Sequence, residues 1–182
     1  NNLFGYCDNI TVRNFTAEGK ITTTATYASI IGRVQNGATI SDITSKLDIT
    51  STGSGSAYAS GIVSWLVGAN GAKYNVERCE FADTITPTGR NYVAGIVGYN
   101  TGNYDNITIK DCAVRGTIKA ANYVAGIIPT FGGVTSAKAK IENCLVTANI
   151  TATGASVGAI WADTKAATGV KNCYTNKNQK LT

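Results

Sequence analysis

The chain has 182 residues, of which 43% are hydrophobic and 15% are charged, and its 16 basic and 11 acidic side chains give a net charge of +5. This hydrophobicity with so little charge excludes a disordered chain. The basic residues are scattered, so the small positive charge does not indicate a nucleic-acid partner. The chain has no long apolar run and no histidine. It therefore predicts no membrane insertion, and it lacks the commonest catalytic base and metal ligand.

An internal repeat begins near the start of the chain. The segment Asp8–Asn14 recurs nearly intact as Asp105–Asp111. Each unit starts with a β-branched residue, and every unit but the last has an isoleucine nine residues later. The unit starts are 28, 36, 33, 32 and 29 residues apart and are Val12, Ile40, Val76, Ile109, Ile141 and Val170.

Each unit contains three short strand-like runs separated by turn residues, as in Ile107–Ala113, Gly116–Lys119 and Tyr123–Ile128. A unit this small cannot bury its own apolar side, whereas stacked units bury a shared one. A β-sandwich would not explain why one residue type recurs in the same slot. The repeat therefore predicts an all-β fold, a parallel and right-handed β-helix or β-solenoid of about five coils of 28–36 residues, with three short strands each.

The repeat also predicts the domain organisation. Residues 1–174 form a single β-solenoid domain, and the polar residues 175–182 form a C-terminal cap or linker. The opening segment Leu3–Tyr6 matches the closing strand of a later unit, Ile96–Tyr99. The solenoid is therefore expected to start in the middle of a coil.

Four of the five cysteines share one slot, three residues after successive unit starts. Earlier units place Phe15 and Ile43 in this slot, which predicts that its side chains point inward as small buried hydrophobic groups. Cysteines spread along a column cannot converge tetrahedrally on one metal ion, so we expect no metal site and no cofactor. Disulfide bonds between adjacent rungs are an alternative, although parallel side chains strain the dihedral angle that a disulfide requires. The predicted interior ladder is Cys79, Cys112, Cys144 and Cys173.

A tyrosine column supplies the candidate binding residues. A row of phenol rings could stack against sugars, or it could be buried between coils. Strand alternation places Tyr92 on the same side as Ile96, which favours burial. The column is Tyr27, Tyr58, Tyr92 and Tyr123, with Ser156 in the last unit.

Two charged columns follow the unit starts, and opposite charges often occupy adjacent rungs. They predict a surface ladder that sets the register, with less than about 1 kcal/mol for each exposed pair. The first charged column is Arg13, Ser41, Glu77, Lys110, Glu142 and Lys171, and the second is Asn14, Asp42, Arg78, Asp111, Asn143 and Asn172.

Threonine-rich segments such as Thr22–Thr24 and Thr151–Thr153 make an ice-binding face an alternative, although Lys119 interrupts the threonine array.

The acidic residues predict no catalytic site. Glycoside hydrolysis needs two facing carboxylates, and the acids here are spread over several faces or accompanied by bases. Glu77, Glu80 and Asp83 form the nearest cluster, and Arg78 lies among them. We therefore expect no enzymatic activity, although a carbohydrate-cleaving β-helix stays open as an alternative because the fold alone does not decide function.

The segment Tyr92–Asn100, followed by Ile109–Cys112, resembles the GLUG repeat, in which a Gly-Leu-hydrophobic-Gly turn precedes an Ile-x-Asn-Cys-like strand. This repeat occurs in large bacterial surface and secreted proteins, including adhesins and proteases that cleave immunoglobulin A. The resemblance implies a structural or adhesive stalk outside the cell. Its partners would be surface glycans or host proteins. Alternatives are a carbohydrate-binding β-helix and a fibre subunit whose copies associate end to end.

Overall fold

The computed structural model describes residues 2–53, 58–68, 71–88, 92–101, 107–132, 139–154, 156–162 and 169–176. Within these ranges all regular secondary structure is β-strand. The strands are β1 (Phe4–Thr23), β2 (Tyr27–Ala28), β3 (Ile31–Ser51), β4 (Tyr58–Ser60), β5 (Val63–Val67), β6 (Tyr74–Glu77), β7 (Glu80–Phe81), β8 (Thr84–Ile85), β9 (Tyr92–Ala94), β10 (Asn100–Thr101), β11 (Ile107–Lys110), β12 (Ala113–Val114), β13 (Thr117–Ala120), β14 (Tyr123–Ala125), β15 (Phe131–Gly132), β16 (Lys140–Glu142), β17 (Leu145–Val146), β18 (Asn149–Ala152), β19 (Val157–Gly158), β20 (Val170–Lys171) and β21 (Tyr174–Thr175).

The strands form a 16-stranded sheet and a 5-stranded sheet, and the described strand pairs are parallel. Each strand pairs with the equivalent strand of the next coil, as β6 does with β11 and β11 with β16. The predicted parallel β-solenoid is therefore confirmed. The 5-stranded sheet spans about 4 turns, so the number of coils is slightly lower than predicted.

The repeated isoleucine and valine positions form the core. Ile40, Val76, Ile109 and Ile141 pair in one column and are 0% exposed. A second buried column contains Ile49, Ile85, Ile118 and Ile150. Burial of each such side chain contributes about 1.5–3 kcal/mol relative to exposure. The stack therefore derives its stability from contacts between coils.

In the later coils the strands are shorter and more numerous than the three runs predicted for each unit, whereas β1 and β3 each continue through several of those runs. The run Ile107–Ala113 is divided into β11 and β12 next to Asp111, which has a φ of 55°. Asparagine and aspartate adopt this left-handed conformation more readily than most residues. The second charged column therefore also makes a corner of every coil, with φ values of 63°, 56°, 50°, 55°, 54° and 49° at Asn14, Asp42, Arg78, Asp111, Asn143 and Asn172.

Several polar pairs connect the coils at this corner. Arg78 Nε lies 2.7 Å from Asp42 Oδ1, and Lys110 Nζ lies 3.3 Å from Glu77 Oε1. Further along the column, Asn143 Nδ2 donates a hydrogen bond of 3.0 Å to Asp111 Oδ1. The predicted ladder thus contains ion pairs between adjacent rungs.

Removing the Arg78 charge should change how Asp42 titrates. The Arg78 guanidinium, with Ser41, lowers the pKa of Asp42 from 3.8 to about 2. Because the folded-state pKa is depressed, this group stabilises the fold above about pH 4, and its contribution is lost as the pH falls towards 2. In Arg78→Gln the pKa should return towards 3.8, measured by carboxyl ¹³C NMR. An unchanged titration would contradict this assignment.

The last described strand is β21, in which Thr175 pairs with Val146 of β17. Of the predicted cap or linker, residues 177–182 lie outside the described residues. The described part of the chain contains no helix long and apolar enough to cross a membrane.

Candidate functional site

A sharp corner joins the 5-stranded sheet to the strand that follows it. In the central coil this corner is Gly95–Gly98. The Gly95 amide donates to the Gly126 carbonyl at 2.7 Å, and the Gly98 amide donates to the Val63 carbonyl at 2.9 Å. A Cβ atom on Gly95 would lie 2.5 Å from Val114 Cγ1 and 2.8 Å from the Gly126 oxygen. The close approach of the neighbouring coil therefore requires glycine here.

This corner brings aromatic side chains from its two sides together. The ring centroids of Tyr92 and Tyr99 are 4.4 Å apart, and those of Tyr58 and Trp65 in the preceding coil are 5.1 Å apart. Along the solenoid axis, the tyrosine column has centroid distances of 6.0, 5.5 and 5.0 Å between successive rings. We call this surface the aromatic strip; it consists of Tyr27, Tyr58, Tyr92, Tyr123, Trp65 and Tyr99.

The aromatic strip is half-buried and lies outside the closed core. Tyr92 is partly exposed, whereas Val93 and Ala94, which follow it in β9, are 0% exposed. The burial that strand alternation favoured for Tyr92 is not found. The reason is that β9 has only 3 residues before the chain turns at Gly95. Interplanar angles of 18° and 7° show that Tyr92 stacks between Tyr58 and Tyr123, so its edge faces outward.

One arginine completes the aromatic strip at the end nearer β1. The Arg33 guanidinium carbon lies 4.8 Å from the Tyr6 ring centroid and 4.9 Å from that of Trp65. Such cation–π contacts stabilise exposed sites by about 0.5–1 kcal/mol each. Burial raises the pKa of Tyr27 and Tyr99 above the usual value of a phenol.

Sequence reasoning missed Arg33, Trp65 and Tyr99 as neighbours of the tyrosine column. The available signal was a spacing, because Trp65 and Tyr99 each follow a column tyrosine by seven residues. Arg33 gave no such signal, since it joins the group only through its pairing with Trp65.

The structure places three of the four ladder cysteines in the core. Cys79, Cys112 and Cys144 are 1%, 2% and 0% exposed, Cys173 is half-buried, and all are free thiols. Hydrogen bonds to Cys144 and Cys79, together with burial, raise the pKa of Cys112 well above its usual value. Each thiol also donates to the carbonyl two residues earlier, at 3.2–3.3 Å.

Asn100 is an anomaly in the core and supports a stability prediction. It is 1% exposed, pairs with Leu66 of the preceding coil, and has no hydrogen-bond partner for its amide atoms in the described part of the chain. A buried polar group without a partner costs about 1–3 kcal/mol. Asn100→Leu should therefore raise the free energy of unfolding by about 1–3 kcal/mol in urea denaturation. If the variant were only as stable as the natural chain, or less stable, the Asn100 amide would not carry this cost.

Parallel strands stacked in register around a continuous core define the class of this protein, a β-solenoid. Residues 89–119 match the family model described as the GLUG motif. The chain is therefore a β-solenoid that carries a GLUG repeat, and the matched segment contains the Gly95–Gly98 corner. No curated protein and no solved structure gives a significant match.

The other candidate surfaces are less continuous. Thr22 pairs with Thr50, but Lys119 pairs with Thr151, so a lysine interrupts the threonine array that could bind ice. Among the described residues, no group of three or more histidine, cysteine, aspartate or glutamate side chains could hold a metal ion. Among these surfaces, the aromatic strip is the most continuous candidate for a binding site.

Proposed function

We propose that this chain is a non-catalytic structural and adhesive module of an extracellular or cell-surface protein. The observation that carries the proposal is the aromatic strip, which follows the solenoid axis across successive coils and is half-buried, so that part of each ring faces solvent. The GLUG match supports it, because the resemblance implies a surface stalk. A rigid solenoid would hold the strip at a fixed distance from the rest of a surface protein.

Surface glycans are the partners that the strip suits best. Tyrosine and tryptophan combine apolar area with polar hydrogen-bonding groups. Their mutual stacking pre-organises the rings, so little side-chain entropy is lost on binding. The rungs repeat at about 4.8 Å along the axis, which presents a regular row to an extended sugar chain. Because the inner rings cover one another, their edges and hydroxyl groups would make the contacts.

A single ring in the middle of the strip tests this proposal. Tyr92→Ala should weaken binding to any glycan identified on a glycan array by about tenfold or more, equivalent to about 1.4 kcal/mol. Titration calorimetry would measure the change, and Tyr92→Phe separates the loss of the hydroxyl from the loss of the ring. Tyr174→Ala is the matched control, because Tyr174 is 66% exposed and lies outside the strip. Equal affinity of the two alanine variants would contradict the proposal.

End-to-end association into a fibre is a second candidate, favoured by the way the coils stack. The 20-residue strand β1 pairs with β3 in parallel over most of its length, and a further copy that stacked in the same register would form the same kind of ladder. A cavity of about 450 Å³ at this end is lined mainly by apolar groups, including Phe15 and Ile21. However, Arg13 and Lys171 lie in one column, so continuing it head to tail would bring like charges together.

Particle length against protein concentration distinguishes the two functions. Light scattering and negative-stain electron microscopy should show single short rods at every concentration if the chain is an adhesive module. Filaments that lengthen with concentration would favour the fibre subunit. Release of reducing ends from polysaccharides would overturn the non-catalytic assignment.

A further inference from the structure

The four ladder cysteines occupy the same slot on successive rungs, and the proposed function does not use them. Backbone hydrogen bonds hold consecutive rungs together, from Ala113 to Cys79 at 2.9 Å, from Leu145 to Cys112 at 2.9 Å, and from Tyr174 to Cys144 at 2.8 Å. The thiols of the row each donate to the backbone carbonyl two residues earlier, so their Cβ–Sγ bonds have the same environment on every rung. In-register parallel strands place equivalent atoms about 4.8 Å apart.

This arrangement is poorly suited to a disulfide or to a zinc site. A disulfide needs a dihedral angle near 90° about the sulfur–sulfur bond, whereas in-register parallel side chains point the same way. A structural zinc ion needs four ligands at tetrahedral positions around one point, which a straight row cannot provide.

A linear two-coordinate ion has different requirements. Metal–thiolate bonds are about 2.3 Å long, so two bonds in line span about 4.6 Å, close to one strand spacing. The ion would lie on the axis of the row, perpendicular to the Cβ–Sγ bonds, without any turn of the side chains. Thiolates select soft metals. An ion of charge +2 with two thiolates is neutral, which a buried apolar corner tolerates better than a net charge.

We infer that adjacent cysteines of this ladder form a binding site for a soft, linear, two-coordinate divalent cation, of which Hg(II) is the test ion. Binding replaces two S–H bonds by two metal–sulfur bonds and releases two protons, with no change of oxidation state. Because each sulfur serves one ion, the ladder holds up to two ions, one at Cys79 and Cys112 and one at Cys144 and Cys173. The half-buried Cys173 provides access from its end of the row.

Two variants with the same number of thiols test whether adjacency matters. Both carry Cys7→Ala and Cys173→Ala, which remove the cysteine outside the ladder and the half-buried one. Adding Cys79→Ala leaves the adjacent pair Cys112 and Cys144, whereas adding Cys112→Ala leaves Cys79 and Cys144 two rungs apart. Hg(II) is added to folded protein and, in parallel, during refolding, so that access does not limit binding. Far-UV circular dichroism checks the fold, and valine replaces alanine in any variant that unfolds, since Ile43 occupies the same slot.

The adjacent variant should bind one Hg(II) with two sulfur neighbours by X-ray absorption and a mass gain of one mercury less two hydrogens. It should resist removal by a competing monothiol roughly a hundredfold better than the separated variant, because both ligands are held in place. The separated variant should show one protein sulfur for each ion, and Zn(II) should be retained by neither. Identical coordination and retention in the two variants would overturn the inference.

Discussion

Replacing Phe81 by alanine should lower the free energy of unfolding by about 3–5 kcal/mol, a typical cost for removing a fully buried aromatic ring. Phe81 is 0% exposed, and its ring fills space opposite the glycine corner of the preceding coil. A Cβ atom on Gly61 would lie 2.3 Å from Phe81 Cδ2. The interior cannot close around the loss, because parallel strands hold the coils on both sides at a fixed spacing. Urea denaturation followed by far-UV circular dichroism measures the effect.

Phe15→Ala is the control for this experiment, because the same substitution removes a half-buried ring that lines the open cavity near β1. Its cost should be clearly smaller than that of Phe81→Ala. In addition, Gly61→Ala should be less harmful in the Phe81→Ala background than in the natural chain, because the clash with the ring is gone and only the 2.4 Å approach to the Gly95 oxygen remains. Equal costs at positions 15 and 81 would show that Phe81 is not tightly packed.

Gly95→Ala should destabilise the solenoid by about 1–3 kcal/mol or more, in the range of overpacking in a well-packed core. The added methyl group would lie 2.5 Å from Val114 Cγ1 and 2.8 Å from the Gly126 oxygen, so the backbone must shift. Such a shift would also separate Tyr92 from Tyr99 in the aromatic strip. Thermal and urea denaturation measure the stability, and near-UV circular dichroism reports on the tyrosine environment.

Gly5→Ala provides the matched comparison, because a Cβ atom on Gly5 would have no neighbour within 4 Å. A surface change of this kind should alter stability by no more than about 0.5 kcal/mol. If Gly95→Ala were as harmless as Gly5→Ala, the GLUG corner would not be the tight contact that its geometry indicates.

The sequence alone predicted which residues share a column. Successive coils repeat the same environment, so a slot such as that of Ile109 keeps one residue type along the chain. The slot shared by Ile43 and Cys112 was identified in the same way, and the structure shows both side chains in the core. The GLUG corner was recognised from Gly95–Gly98, where two glycines enclose two apolar residues.

The backbone corner that the second charged column makes in every coil was not readable from this pattern. It depends on the sign of φ at single residues such as Arg78, whose φ is 50° although arginine has no special preference for that region. A charge pattern and a backbone corner can occupy the same column, and residue type revealed only the first of them.

The sequence by itself determined the repeat, the buried columns and hence the β-solenoid, because one-dimensional stacking places residues of the same slot in contact. Only the tertiary structure decided which different columns meet. The turn at Gly95–Gly98 brings Tyr99 against Tyr92, and the pairing of β3 with β5 places Arg33 beside Trp65. These contacts depend on the angle between faces of the coil, and the spacing of residues along the chain does not specify that angle.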